Sequence, residues 1–492
     1  MPAETDPPIL LKEQRRKRSK VVRITSDKTK EVLQIIFFFL LSIGCQRVLN
    51  PDSQVFYDSD NYVQLSQSFW KEGSFSLLNF TEGIRGVWFP LILAPFIRIS
   101  REWGWRILSA LMTVFFVCYF PQIILGFRGK GDKYLFGKRL ILFLLLFCFW
   151  SGIFLYPLSD GVALVFLVLG IRFIFKNKIG SYLIGGVFFY LSYNIRTIYL
   201  LPVLFFIIGH GVLGMIHKKY SQCLIFLVSV GMGLLIIAPI PQIIVNLNRY
   251  NILSLKVMTE EGYSSGLFSW QLAEGLRHSE YETHIGSMNV YPMPGIRFSD
   301  RVGENILLKE GLNPGEMSMG DVVKVIIKYP FEVMGIYMRH LINMLNPVWG
   351  EGYIKDIHKT KIYLSIINYC LMFTAACYGV LKISRGKQIS LSAKQFMGEK
   401  GERCLLWSTI LIPCIGILPG CVEQRFFFGA YMLMYIFLLF SMGKDGFLNL
   451  SMHWKKRPMY YAALFIIGFA LLSAVWGNTY ANTEHGIWIS LW

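Results

Sequence analysis

Long apolar runs separated by short polar loops set the pattern of this chain. Glu31–Asn50, Arg139–Pro157, Cys223–Val245 and Met459–Gly477 each come close to the about 20 residues that cross roughly 30 Å of hydrocarbon. The spacing of such runs predicts about eleven membrane spans. The first run follows a long, strongly charged segment. It is too long for a signal-peptide core and no small-residue cleavage site comes after it, so it reads as an uncleaved first span.

Two stretches break the simple count. Between Val87 and Phe127 the chain must cross an odd number of times, and Val87–Ile99 is short and holds Pro90 and Pro95. A short or re-entrant helix followed by one span, Trp105–Phe127, meets that requirement. Between Ser181 and Gly214 two short helices must cross an even number of times, with a break near Asn194–Arg196.

Composition supports the membrane reading: 54% of the 492 residues are hydrophobic and only 16% charged, where a soluble domain carries about 25% charged residues. Mean hydropathy is +0.45. The net charge of +18 raises nucleic acid as a partner, but its distribution argues against one. The basic residues gather at Lys12–Lys30, Arg128–Arg139, Arg172–Lys178, Lys218–Lys219, Lys382–Arg403 and Lys444–Arg457, as the positive-inside rule describes for cytoplasmic loops. No aromatic-interleaved basic face accompanies them.

With these clusters in the cytoplasm, the N-terminus is cytoplasmic. Pro51–Gly86, the turn at Leu158–Asp160, the stretch Asn246–Lys359, the turn at Cys421–Arg425 and the C-terminal tail then lie outside. The expected class is an all-α polytopic membrane protein with outer-face loops and a mixed external subdomain. Its parts are a basic segment (1–30), an N-terminal transmembrane module (31–245, with outer loop 51–86), the external subdomain (246–359) and C-terminal helices (360–492).

None of the nine cysteines falls in the long outer stretch, and CxxC, P-loop and GxGxxG motifs are absent. No disulfide framework is therefore implied, nor a nucleotide site of those types. No internal repeat of the kind that builds two-halved transporters is evident. The lack of cysteines in the long outer stretch and the short connections point to a bacterial plasma membrane.

The outer loop 51–86 carries most of the candidate chemistry. Tyr62, Leu65, Phe69 and Trp70 recur at helical spacing, with Asp58 and Asp60 just ahead. By local sequence, Asp58, Ser59 or Asp60 caps an interfacial helix, worth about 1 kcal/mol. Asp160 opens a later apolar segment, and Glu423 and Arg425 open another. Charges this close to hydrocarbon are costly unless paired or used, and all four of these acidic and basic positions fall on the outer face.

Asp58, Tyr62, Ser66 and Gly73 resemble the D-x-x-x-Y-x-x-x-A…G signature of the GT-C membrane glycosyltransferases, with Ser66 standing where the family has Ala. That superfamily includes protein O-mannosyltransferases and aminoarabinose transferases, which take sugars from polyprenyl phosphates. Asp160 in Tyr156-Pro157-Leu158-Ser159-Asp160-Gly161 resembles the superfamily's second outer-loop Asp, and Glu423-Gln424-Arg425-Phe426-Phe427 resembles its E-x-R-[FY]-F pattern. The likeness covers roughly the first 215 residues in architecture, plus Glu423–Phe427.

The resemblance implies a GT-C-type bundle and an inverting transfer from a polyprenyl-phosphate sugar to a hydroxyl on a glycan, lipid or protein. Asp58 would be general base, Asp160 would orient or assist, and Asp60 is a spare candidate. Arg85, Arg196 or Arg425 would meet the phosphate, with Glu82, Glu423, Arg339 and His340 as further binding candidates. Trp270, Tyr263, Tyr281, Tyr291 and Trp349 could stack on sugar or lipid, or simply pack. No cofactor is required, a divalent metal stays open, and His284 reads as a surface residue. A flippase of lipid-linked sugars, a glycan polymerase or ligase, and a non-catalytic scaffold are the alternatives.

Overall fold

A computed structural model of the chain describes residues 9–71, 73–80, 85–126, 134–258, 265–283, 295–347, 353–354, 361–386 and 399–481. Within them the fold is helical, apart from two two-stranded antiparallel sheets. Seven helices are long and apolar enough to cross a membrane: Thr29–Leu49, Arg101–Leu125, Thr197–Ile216, Tyr220–Tyr250, Ile362–Leu381, Gln424–Ser441 and Pro458–Trp476.

The number is seven, not about eleven, because several apolar runs are cut short. The run at Arg139–Pro157 does not form one helix. Leu135–Phe149 stops at Trp150, whose indole nitrogen donates to the Tyr435 hydroxyl at 3.3 Å, and only Ser151–Leu155 continues. Ser159–Ile174 has 16 residues and Ile179–Ile195 has 17. Trp88–Ile99 is a 12-residue helix with Pro95 inside it, followed at once by the span that starts at Arg101. Ile179–Ile195 ends at Arg196, which is extended, before the chain re-enters a helix. The second interruption falls at the expected Asn194–Arg196 break, whereas the first lies at Ser100, after a helix that keeps Pro90 and Pro95 within it.

The spans are apolar on surfaces that no protein covers. Leu33 and Leu40 are each 60% exposed, Ile466 64% and Leu471 66%. Rows of large exposed aliphatic groups are unstable against water and normal against lipid. The fold is that of a polytopic membrane protein.

Around the centre, helices approach closely through small residues, as in other membrane bundles. A Cβ at Gly186 would stand 2.3 Å from the Val230 carbonyl, and one at Gly233 would stand 2.2 Å from that of Leu183. These contacts seat Ile179–Ile195 against the long helix Tyr220–Tyr250, which makes a π-helical turn at Met232–Ile237 beside them.

The region 246–359 has a small core of its own. Helices Ser265–Arg277, Arg301–Glu310, Met319–Lys328 and Pro330–Met344 enclose Leu276, Ile306, Leu307, Val322, Val325 and Val333. Between the first two of these helices, strand His278–Thr283 pairs with Gly295–Ser299. The outer edge of that strand meets the bundle: Tyr281 N donates to the Val422 carbonyl at 2.9 Å, and Ile354 N donates to Thr283 O at 2.8 Å. This edge brings the subdomain to the start of the helix Gln424–Ser441.

Candidate functional site

Five separate chain segments bring their charged residues to one place. The helix Tyr57–Ser68 begins after an extended Phe56, and Tyr57 has a φ of 43°, in the left-handed region that side chains other than glycine rarely adopt. The cap of this helix is made by Ser59: its Oγ accepts from Phe56 N at 2.8 Å and donates to Phe56 O at 2.6 Å. The Tyr353 hydroxyl reinforces the turn, accepting from Ser59 N at 3.2 Å and donating to Phe56 O at 2.8 Å. Asp58 is thereby released from the capping role, and its carboxylate turns to arginines.

Arg85 forms an ion pair with Asp58 through Nη2 and Oδ1. It is positioned by Gly86, where a Cβ would stand 1.9 Å from the Asn194 carbonyl. Only glycine fits that approach, so residue 86 lies directly against the turn that carries Arg196. Asn194 fastens the junction by accepting from Trp88 N at 3.0 Å and donating to Gln242 at 2.9 Å.

Asp160 stands in the first turn of Ser159–Ile174, and Arg196 Nη2 donates to its Oδ2 at 2.6 Å. The neighbouring Ser159 hydroxyl meets that of Tyr62 at 3.1 Å, so the tyrosine one helical turn after Asp58 locks the two acidic segments together.

Arg425 joins the parts. Its guanidinium lies 2.7 Å from Glu423, 3.6 Å from Asp58 and 3.9 Å from Asp160. The result is a connected group of Asp58, Arg85, Asp160, Arg196, Glu423 and Arg425, in which carboxylates and guanidiniums share partners. It is sheltered but open on one side, with the Asp160 side chain 8% exposed and that of Asp58 24%.

Burial would raise the Asp58 carboxyl. The guanidiniums of Arg85, Arg425 and Arg196, with the hydrogen bond from Arg85, outweigh it and hold Asp58 down to about 2. Asp58 is therefore a carboxylate at any physiological pH. Glu423 moves the other way: burial raises it, against the pull of Arg425.

The other candidates from the sequence lie elsewhere. Asp60 accepts from Gln64 at 2.7 Å and lies 3.6 Å from Arg101, outside the group. Arg339 makes a two-pronged bond to Asp300 at 2.6 and 2.9 Å. His340 is buried between the carbonyls of Leu418 and His278, at 2.6 and 2.7 Å. Arg339 ties two helices of the subdomain together, and His340 joins the subdomain to the bundle at Leu418. Tyr281 serves the strand edge described above, and Trp270 sits in helix Ser265–Arg277. Glu82, Tyr263, His284, Tyr291 and Trp349 lie outside the described residues.

Sequence reasoning missed the second layer beneath Glu423 and Arg425. Gln424 N donates to Glu282 at 2.9 Å, and the Gln424 side chain donates to Glu280 at 3.2 Å and to the Asn346 carbonyl at 2.6 Å. Burial, with the Glu423 charge, pushes Glu282 up to about 8 against the Gln424 hydrogen bond and Arg425. The one sequence signal was Glu280-Tyr281-Glu282, where acids two apart on a strand share a face. Among the described residues no group of three or more His, Cys, Asp or Glu could hold a metal ion.

No protein-family model, no curated protein and no solved structure matches the chain. Function is therefore argued from the cluster itself.

Proposed function

We propose that the protein is a GT-C-type membrane glycosyltransferase that moves a sugar from a polyprenyl-phosphate donor to a hydroxyl acceptor on the outer face of the membrane. The observation that carries this reading is the convergence of Asp58, Asp160, Glu423 and three arginines from segments up to 367 residues apart in one sheltered group. All of these residues stand at or beside helix ends, where a ligand anchored in lipid can present its headgroup. A flippase would call for charged groups lining a path at mid-bilayer depth, and the cluster sits at the ends of its helices instead.

The chemistry asks for an anionic base and for cations at the leaving phosphate. The acceptor oxygen attacks the anomeric carbon, the bond from that carbon to the phosphate oxygen breaks, and the lipid phosphate leaves with the electron pair. Asp58 takes the hydroxyl proton. While Arg85 and Arg425 hold it, Asp58 is a weak base. A donor phosphate that draws these guanidiniums to itself raises the basicity of Asp58 at the moment the acceptor needs it. Asp160, held by Arg196, orients the acceptor. Guanidinium groups suit this exchange because they bind carboxylate and phosphate with the same planar geometry.

The test is transfer of radiolabelled sugar from polyprenyl-phosphate donors in membranes that hold the wild type, Asp58→Asn or Asp160→Asn. Activity in the wild type and its loss in Asp58→Asn, at equal expression, is the expected result. Full activity in both variants would sink the site, and a wild type inert with every donor would shift the reading towards transport.

A further inference from the structure

The charges in the cluster do not leave room for another anion. Arg85, Arg196 and Arg425 are matched one for one by Asp58, Asp160 and Glu423 in direct contact. Behind them stands a further acid, Glu282, buried at 6% exposure and bonded to Gln424 N, with Glu280 beside it at 0%. A phosphate entering this group adds negative charge to a sheltered place, which is unfavourable by several kcal/mol unless charge is neutralised.

We infer that Glu282 is a working member of the binding site, carrying the proton that lets a lipid-linked phosphate enter. This rests on the proposed donor class and deepens it, since it names the group whose proton limits the negative charge of the occupied site.

Geometry supports the choice of Glu282 over its neighbours. On its own strand it is accompanied by Glu280, whose carboxylate receives the Gln424 side chain. From the segment packed against that strand come Glu423, which repels it, Arg425, which attracts it, and the Gln424 amide, which donates to it. Beyond Arg425 stand Asp58, Asp160 and the Tyr353 hydroxyl, with Arg85 on Asp58 and Arg196 on Asp160. Asp58, Asp160 and Glu423 each touch a guanidinium, so protonating any of them breaks an ion pair. Among the described residues Glu282 forms no ion pair within the group, and it keeps its bond from Gln424 N when it is neutral, because its carbonyl oxygen still accepts. Burial has already pushed this carboxyl towards the neutral form.

The consequence is proton-linked binding. An anion that prefers the protonated site binds with constant affinity below the pKa of Glu282 and loses about tenfold per pH unit above it.

Binding of a short-chain isoprenyl methyl phosphodiester, whose single charge does not change over the range, would be measured by calorimetry on the full-length protein in nanodiscs between pH 6 and 9.5. The wild type is expected to bind evenly up to about pH 8 and then to weaken by about tenfold per unit. Its binding heat should also depend on the buffer's ionisation enthalpy in the alkaline range, as proton uptake requires. Glu282→Gln is neutral throughout and keeps the oxygen that Gln424 N bonds, so it should bind at pH 9 as the wild type does at pH 7. An unchanged alkaline weakening in Glu282→Gln overturns the role of Glu282 and leaves the donor reading standing. So does a flat profile in the wild type. Failure of the wild type to bind the phosphodiester at any pH removes the donor reading and this inference with it.

Discussion

Asp300 and Asp58 are both acids paired with arginine near the junction of subdomain and bundle, yet they are built for different ends. The Asp300 carboxylate is saturated. It accepts from Val302 N at 3.0 Å and Gly303 N at 3.1 Å at the start of its helix, and from Arg339 at 2.6 and 2.9 Å. Its side chain is 2% exposed, and both of its oxygens have fixed donors. Asp58 caps nothing, because Ser59 does that work. Its partners are Arg85 and Arg425, and Arg425 divides itself among three carboxylates. A saturated ion pair holds structure, whereas a shared one can exchange a partner for a ligand. The same pair of residue types thus marks glue in one place and a candidate site in the other.

Substitution separates the two most sharply. Asp58→Asn should lower sugar transfer by about 100-fold or more, the scale on which a general base acts, while its stability in detergent falls by only about 2 kcal/mol, the strength of its pairing with the arginines. Asp300→Ala should do the reverse. Stripping one partner from a buried pair costs about 3–5 kcal/mol, so its midpoint should fall sharply while activity per folded molecule is kept. Equal loss of stability in the two variants would erase the distinction.

A smaller effect sharpens how the cluster is assembled. At Gly86, alanine would push its Cβ into the Asn194 carbonyl, a clash worth about 3 kcal/mol at the upper end of overpacking. Gly86→Ala should be destabilised and should lose transfer beyond the loss of folded protein, because Arg85 moves with it. Stability measured by chemical denaturation, alongside specific activity, decides this. Wild-type behaviour in both would show that residue 86 does not set the position of Arg85.

The smallest effect is in acid. Asp58 ionises at about 2 in the folded chain, below its ordinary 3.8, so its contribution to stability is full above about pH 5 and is lost as pH falls towards 2. That contribution is about 2 kcal/mol. Stability of the wild type should therefore fall across this window, and Asp58→Asn, which has no proton to take up, should show a shallower fall. Parallel acid limbs would mean that the arginines do not hold Asp58 as their positions suggest.

Much of the scaffold was legible in the residues alone. A span needs only length and apolarity, so Thr29–Leu49 and Pro458–Trp476 follow from composition within a window. The polar Asn194–Arg196 turn marked its break, whereas Pro90 and Pro95 stay inside the helix Trp88–Ile99 and the break falls at Ser100, which caps the next helix. The count of spans came out too high because a run such as Arg139–Pro157 is apolar throughout, yet its helix stops at Trp150, whose indole bonds the distant Tyr435. Asp58, Asp160, Glu423 and Arg425 could be singled out because a charge beside hydrocarbon is conspicuous wherever it stands.

What the sequence determined by itself is the solvent the chain is made for and the segments where its charges must surface, since both depend on local hydrophobicity. Only the tertiary structure decided that Ser59 rather than Asp58 closes the helix, as side chains of either type can cap. It also decided that Glu282 lies under Glu423, 141 positions away in the chain, and that Arg339 and His340 face inward to structural partners. Pairing across such separations is set by how helices and one strand edge pack in space, and no window of sequence contains that information.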